Sequence, residues 1–174
     1  MADGDATANR ILSELETSRA EFHELLTAVA GDAWNCPSRN RGWTNGQVVF
    51  HIALGFFLIV PLVVLMRAFA ALPRSASRAF ARCLNATTPL FNRINAIGPR
   101  FGAKVFPARR LGATFDSVHR RIVRKAEAMP AEDWTRGMHY PEKWEQRFSD
   151  FMTFEALFRY PAAHLRHHRT QLLL

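Results

Sequence analysis

Apolar residues recur at helical spacing in three long stretches of this 174-residue chain, and a continuous apolar run marks a fourth. Residues 5–30, 111–128 and 153–173 each gather apolar side chains on one face and charged side chains on the other. In the first stretch the apolar face comprises Ile11, Leu15, Phe22, Leu25, Leu26 and Val29. No alternation typical of strands competes with this period. The pattern predicts an all-α protein built as a four-helix bundle.

The apolar run follows a clear helix start. Thr44 and Gln47 have the spacing of a capping box, so a second helix is expected to begin after Thr44. Residues 52–66 then contain no polar side chain and are interrupted only by Gly55 and Pro61. A membrane span needs about 20 apolar residues, and this run is shorter and contains a proline. A helix buried all round, in a bundle or at a subunit interface, is therefore favoured over a transmembrane helix.

The last helix carries three histidines within five residues. Its apolar stripe comprises Phe154, Leu157, Phe158, Leu165 and Leu172. At about 100° per residue, His168 lies roughly 30° and His164 roughly 70° from the centre of this stripe, whereas His167 lies roughly 130° away, towards solvent. His164 and His168 therefore point inward together, at a spacing that allows two imidazoles to share a metal ion. The alternative is a pair of buried, hydrogen-bonded histidines.

Charge is distributed unevenly along the chain, whose net charge is +8. No Asp or Glu occurs between Asp32 and Asp116, and that interval holds eleven of the 23 Lys and Arg residues. The rest of the chain carries 12 cations and all 15 acidic residues. The positive excess therefore belongs to the middle of the chain, which indicates an anionic partner there: a charged small molecule, a membrane surface or nucleic acid.

The basic segment 73–110 differs from the helices around it. Arg74, Arg78 and Arg82 recur every four residues, as in a short basic amphipathic helix. A further helical turn or two is expected after Pro89, ending where Gly98-Pro99 and Gly102 break it. The segment is interpreted as a partly helical insertion or lid, either a solvated surface or a contact with an anionic membrane. Nucleic acid is the less favoured partner, because no nucleic-acid-binding motif accompanies the charge.

Two motifs give the chain a resemblance to a known family. Trp43-Thr44 is followed after six residues by His51, and His164 is followed after three by His168-Arg169-Thr170-Gln171. In order, spacing and helix placement these motifs resemble those of the DinB-like superfamily of four-helix-bundle metalloproteins. The resemblance covers residues 10–60 and 111–172. It implies a bundle in which the basic segment is inserted between the second and third helices.

The resemblance also implies a metal site. Members of the family hold one divalent metal ion with one histidine on the second helix and two on the fourth, which here correspond to His51, His164 and His168. Three imidazoles leave at least one coordination position open, as in catalytic rather than structural sites. Zinc is the simplest expectation, and nickel, manganese and iron also suit imidazole ligands.

Three hypotheses for function follow. The first is a metal-dependent enzyme: a thiol S-transferase, an isomerase or a hydrolase. The resemblance implies that a transferase or isomerase would use a low-molecular-weight thiol such as mycothiol or bacillithiol. In that case the basic segment would bind anionic groups of the thiol or its acceptor. The second is a non-catalytic metal-binding dimer that contacts an anionic membrane surface or another partner through its basic, hydrophobic middle. The third is a helical interaction protein without a metal.

Candidates for a general base are few. Glu155 is the nearest acidic residue to the paired histidines, a turn or more away along the chain. His119 on the third helix and His139 or Tyr140 in the following loop, 129–148, are the remaining candidates. Core or surface packing is the more common role for each of them.

The organisation of the whole chain is expected to be simple. The length suits one helical domain spanning residues 1–174. Cys36 and Cys83 do not form a disulfide framework and match no zinc-ligand spacing. A cytoplasmic location is expected, with peripheral membrane association as an alternative, because the start of the sequence has no signal pattern. A homodimer is expected from the family and from the long apolar second helix.

Overall fold

The computed structural model describes residues 2–145 and 149–174, and residues 2 and 3 only by their backbone. The helices are α1 (Ala2–Ala28), α2 (Asn45–Phe57), α3 (Ile59–Ala70), α4 (Arg74–Ala86), α5 (Thr88–Val105), α6 (Ala108–Glu127) and α7 (Phe154–Arg169). Short 3-10 turns cover Gly31–Asn35 and Ala131–Asp133. Two strands, β1 (Gly137–His139) and β2 (Phe151–Thr153), pair antiparallel. The protein is all-α apart from this hairpin, which confirms the predicted fold class.

Helices α1, α2, α6 and α7 form the bundle, with α1 packed on α6 and α7, and α2 packed on the same two helices. Its core is built largely from the residues that the helical period singled out, among them Ile11, Phe22, Phe115 and Leu157, each with at most 1% of its surface exposed. Phe22 and Phe115 stack with ring centroids 3.9 Å apart, joining α1 to α6. Burial of such side chains stabilises the bundle by about 1.5–3 kcal/mol each.

The second helix begins as predicted but does not continue unbroken. Thr44 and Gln47 form the capping box: the Thr44 hydroxyl accepts the Gln47 amide and the Gln47 side chain accepts the Thr44 amide. The apolar run then divides at Leu58 into α2 and α3. Pro61 explains the break, because it has no N–H to donate to the carbonyl of Phe57.

Within this single chain α2 is buried nearly all round, as expected, whereas one face of α3 is exposed, with Val64 59% exposed. Burial of that face at a subunit interface stays a prediction. Taken together, Asn45–Ala70 is long and apolar enough to cross a membrane, and its most apolar 18-residue window has a mean hydropathy of 2.8. Within its most apolar window, 56% of the residues are buried inside the protein. Core helices of soluble proteins can be equally long and apolar. Length and composition therefore do not distinguish a membrane-spanning helix from a core helix here.

The basic segment is more helical than the sequence predicts. Helix α5 runs without interruption through Gly98, Pro99 and Gly102, the residues expected to break it. Packing on α2 accounts for the difference: Pro99 is buried, and the Phe50 ring lies so close to Gly102 that a Cβ there would overlap it. Gly102 therefore provides room for an aromatic ring instead of ending the helix. The tertiary contacts offset the local cost of glycine and proline.

Arginines of α4 pack against the hairpin. Arg74 lies over the Phe151 ring at 4.7 Å, and Arg78 Nη2 lies 3.4 Å from His139 Nε2. These residues are therefore not a purely solvated face, as the four-residue spacing alone suggested. Strand β1 lies within the predicted loop 129–148, and β2 follows that loop. Positions 146–148 of the loop lie outside the described residues.

The last two bundle helices lie close to their predicted bounds. Helix α6 starts three residues before the predicted 111, at Ala108. Helix α7 begins after Thr153, whose hydroxyl accepts the Ala156 amide, and ends at Arg169. It continues through Pro161, and the apolar stripe of the helix runs on both sides of this proline.

Candidate metal centre

Three buried histidines from two helices meet in the middle of the bundle. His51 lies on α2, and His164 and His168 lie one turn apart on α7. One ring nitrogen from each lies within 4.8 Å of the others, so this group could hold a metal ion. His167, predicted to face solvent, is exposed. The structure thus brings together the three residues that the family resemblance proposed as ligands.

The distance between ring nitrogens of the two helices suits a shared ion. The Nε2 atoms of His51 and His164 are 3.2 Å apart. Two nitrogens bound tetrahedrally to zinc at about 2.0–2.1 Å are separated by about 3.3 Å. The His51 Nδ1 atom is buried without a hydrogen-bond partner among the described residues. The donor set and its spacing therefore fit a divalent ion.

A glycine makes the close approach of His51 and His164 possible. Gly55, one turn after His51, faces the His164 ring, and a Cβ at that position would lie 2.6 Å from His164 Nδ1. That distance is far below an ordinary contact, so any larger residue would displace the imidazole. Gly55 is therefore part of the site, although the sequence offered it only as an interruption of an apolar run.

The His168 ring is held by a polar contact behind the site. Its Nδ1 atom lies 2.9 Å from Gln171 Oε1, and the same oxygen accepts a hydrogen bond from Asn40 Nδ2 at 3.2 Å. Because an amide oxygen only accepts, Nδ1 carries the proton and Nε2 keeps its lone pair for the centre of the site. Gln171, in the His-Arg-Thr-Gln motif, thus orients a candidate ligand.

The surroundings also keep His51 neutral. Burial lowers the pKa of His51 to about 3, and the positive charges that His168 and His167 can carry act in the same direction. The Trp43 ring covers His51 edge-on, with ring centroids 5.1 Å apart. His51 is therefore an unprotonated imidazole at neutral pH, which is the form that binds metals.

A cavity of about 380 Å³ opens onto His51 and His164. Its walls come from α2, α3, α5, the loop after β1 and the middle of α7, and they are mainly apolar. The apolar and aromatic lining includes Leu54, Leu58, Leu62, Phe91, Ile94, Trp144 and Tyr160. Phe91 of α5 stacks on Trp144 of the loop at 4.3 Å, which closes one side. Helix α5, within the basic segment, therefore forms a wall of this cavity.

Several polar side chains line this cavity besides the histidines, Asn95 and Tyr160 among them. Tyr140 and Glu145 both line it. Burial, with the Glu145 carboxylate as a second cause, raises the pKa of Tyr140 to about 12, so the phenol stays protonated at neutral pH. Sequence reasoning named Tyr140 as a candidate but missed Glu145, which lies far from the histidines along the chain. Only the loop between β1 and β2 brings it to the cavity.

The other base candidates lie elsewhere. His119 Nε2 donates to the Leu15 carbonyl at 3.0 Å, and burial lowers its pKa. His139, the last residue of β1, lies between Asp150 and Arg78. Neither is among the residues that line the cavity, and Glu155 instead lies near Arg10 and Arg159 at the surface. His119 and His139 are buried and hydrogen-bonded away from the cavity, and Glu155 forms surface ion pairs.

The described lining of the cavity contains no Arg or Lys. It does not supply the anion contacts that the basic segment was expected to make with a thiol or its acceptor. The cations of α4 and α5 are not among the described residues that line the cavity.

Comparison with known proteins agrees with this architecture. Searches of curated proteins and of solved structures gave no match. The sequence pattern of the DinB superfamily matches residues 14–172, a range that contains all three histidines and also the basic segment. The chain belongs to the DinB superfamily.

Proposed function

We propose that the protein is a metal-dependent enzyme in which His51, His164 and His168 hold one divalent ion, most simply zinc. The observation that carries this proposal is the 3.2 Å separation of the His51 and His164 Nε2 atoms at the edge of an apolar cavity. A structural zinc site would be closed by a fourth protein ligand. Within the described part of the chain, the ligand group comprises three histidines only.

The reaction we propose is transfer of a low-molecular-weight thiol to an apolar electrophile. When bound, the ion would supply a Lewis acid that favours the thiolate. The thiol sulfur forms a bond to an electrophilic carbon, the bond from that carbon to its leaving group breaks, and the thiol proton is released. The apolar walls bind the electrophile and exclude water, which strengthens every polar interaction inside.

Two side chains of the cavity have roles in this proposal. The Glu145 carboxylate accepts the thiol proton, because it is the acidic group among the described lining residues. The protonated Tyr140 phenol donates a hydrogen bond to the leaving group or to a carbonyl of the electrophile. Both residues lie on the loop that α5 covers through Phe91 and Trp144, so their positions depend on that contact.

Metal content tests the ligand assignment. We expect purified protein to contain about one divalent ion per chain and the His51→Ala, His168→Ala double variant to contain almost none. His167→Ala is the matched control, because this neighbouring histidine is exposed. Equal metal content in the wild type and the double variant, measured by inductively coupled plasma mass spectrometry, would refute the assignment.

Thiol transfer is tested on fully metal-loaded protein with mycothiol, bacillithiol and glutathione against apolar electrophiles. Glu145→Gln and Tyr140→Phe are each expected to lower kcat by about 10²- to 10⁴-fold while metal content stays unchanged. Glu142→Gln, an exposed acid three residues earlier, is the control. Absence of turnover with all three thiols would favour the second candidate, a non-catalytic metal-binding protein that associates with a partner through its basic middle.

A further inference from the structure

Helix α5 carries a continuous apolar face on the outside of the protein. Leu90, Ile94, Ile97, Phe101 and Val105, here called the α5 stripe, are between 36% and 66% exposed. Their spacings of three and four residues place them along one side of the helix over about 22 Å. Exposed apolar patches of this extent mark interaction surfaces.

The opposite side of α5 is already packed against the bundle. Pro99 and Ala103 are buried, and Gly102 receives the Phe50 ring. The backbone is also tied to the loop before α2, because the Trp43 indole N–H donates to the Ala96 carbonyl at 3.2 Å. The helix thus has its own buried face, and the stripe is a second apolar face that the fold presents outward.

The charges beside the stripe have one sign. Arg93, Arg100 and Lys104 are exposed and lie roughly 60° to 100° from the centre of the stripe, along one flank. No acidic residue occurs from position 33 to 115, so none on α4 or α5 offsets them. Arg93 and Lys104 have no ion-pair partner within the described residues. Arg100 donates to the Gly42 carbonyl at 3.4 Å.

We propose that α5 docks the protein in the plane of an anionic phospholipid bilayer, with the stripe in the acyl-chain boundary and the three cations on lipid phosphates. An apolar face flanked by cations is the pattern of helices that lie in this interface. A second copy of the chain is a poorer occupant, because pairing two α5 faces would bring six uncompensated cations together. Arg74 and Arg78 of α4 are not assigned to lipid phosphates in this proposal, because they contact the hairpin.

Docking of α5 also bears on the cavity. Ile94 belongs to the stripe and to the cavity wall, and Gly98 lines the cavity one turn later. The docked helix therefore brings the edge of the cavity next to lipid. The position of the cavity next to lipid matters only for the proposed enzyme. Membrane docking is inferred from the α5 stripe and its cations and does not depend on the proposed activity.

Vesicle sedimentation with the full-length protein tests the proposal. The probes are vesicles of phosphatidylcholine mixed with phosphatidylglycerol, and vesicles of phosphatidylcholine alone. The stripe variant is Leu90→Asp with Phe101→Asp, and its control is Val64→Asp with Leu72→Asp on exposed apolar positions outside the stripe. The cation variant is Arg93→Ser with Lys104→Ser, and its control is Arg120→Ser with Arg121→Ser on α6. Circular dichroism and metal content confirm that each variant is folded.

The wild type is expected to sediment with the anionic vesicles at low salt and to be released as salt rises. The stripe variant should lose at least about 100-fold in binding and the cation variant about 30-fold, while both controls bind like the wild type. No sedimentation of the wild type at low salt would overturn the proposal, as would equal losses in a variant and its control. A wild-type dimer that the stripe variant converts to a monomer, measured by light scattering, would assign the stripe to a second copy instead.

Discussion

At the scale of the residue, the candidate site depends on a glycine and a glutamine as well as on its three histidines. Gly55 lets α2 and α7 approach until His51 and His164 can face each other. Gln171 then fixes the proton of His168 on the nitrogen that faces away from the centre. Each of these residues acts through a histidine, so their effects should show in metal affinity before they show in stability.

Replacement of Gly55 tests this argument. In Gly55→Ala the new Cβ would overlap the His164 ring, so we expect the ring to move and metal affinity to fall by at least about 10-fold. Gly98→Ala is the control, because a Cβ at that helical position meets nothing within 4 Å. Competition with a chromophoric chelator measures both affinities. Equal affinities of the two variants would show that Gly55 has no part in the site.

At the scale of the element, the α1–α6 pair is tied by a polar cluster at the surface of the bundle. Asp116 on α6 accepts from Arg19 Nε at 2.8 Å and lies 2.9 Å from His23 Nε2, both on α1. Desolvation alone would raise the pKa of Asp116, but the hydrogen bonds and charges of His23 and Arg19 outweigh it and lower that pKa. The carboxylate therefore stabilises the folded protein in its ionised form.

This lowered pKa predicts a pH dependence with a definite sign. The contribution of Asp116 is present above the unfolded pKa, about 3.9, and is lost as the pH falls through the lower folded pKa. We expect Asp116→Asn to reduce the free energy of unfolding by about 1–2 kcal/mol at pH 7, with the difference shrinking below about pH 4. Urea unfolding at a series of pH values measures it, with Glu142→Gln as a control at an exposed carboxylate. A difference that grows towards low pH would contradict this account.

At the scale of the whole molecule, the three histidines link two helices that are more than a hundred residues apart in sequence. A ligand that binds only the folded state stabilises it by mass action. An ion bound at His51, His164 and His168 would therefore connect α2 to α7 and stabilise the entire bundle. Dimerisation remains a prediction at this scale, and light scattering of the metal-loaded protein measures it.

Added zinc should therefore raise the melting temperature of metal-free protein. At a concentration about 100 times the dissociation constant the gain is about 2.7 kcal/mol. Calorimetry should show this increase in the wild type and in His167→Ala, but not in the His51→Ala, His168→Ala variant. An equal increase in all three proteins would place the ion elsewhere.

Much of this protein could be predicted from local pattern, because helical periodicity and capping depend on residues a few positions apart. The apolar spacing in α1, α6 and α7 predicted their buried faces, and Thr44 and Gln47 predicted the start of α2. The spacing of His164 and His168 placed them together on the inner face of the last helix.

The family resemblance named His51 as the partner of those histidines, but only the tertiary structure decided the geometry of the site. The 3.2 Å approach of His51, the room left by Gly55 and the arrival of Glu145 at the cavity all join segments distant in sequence. Helix α5 is the clearest case, since Gly102 predicts a helix end locally and instead accommodates the Phe50 ring. Local sequence determined which helices form and which of their faces are buried. The close packing between those helices determined where the three histidines meet and which side chains line the cavity beside them.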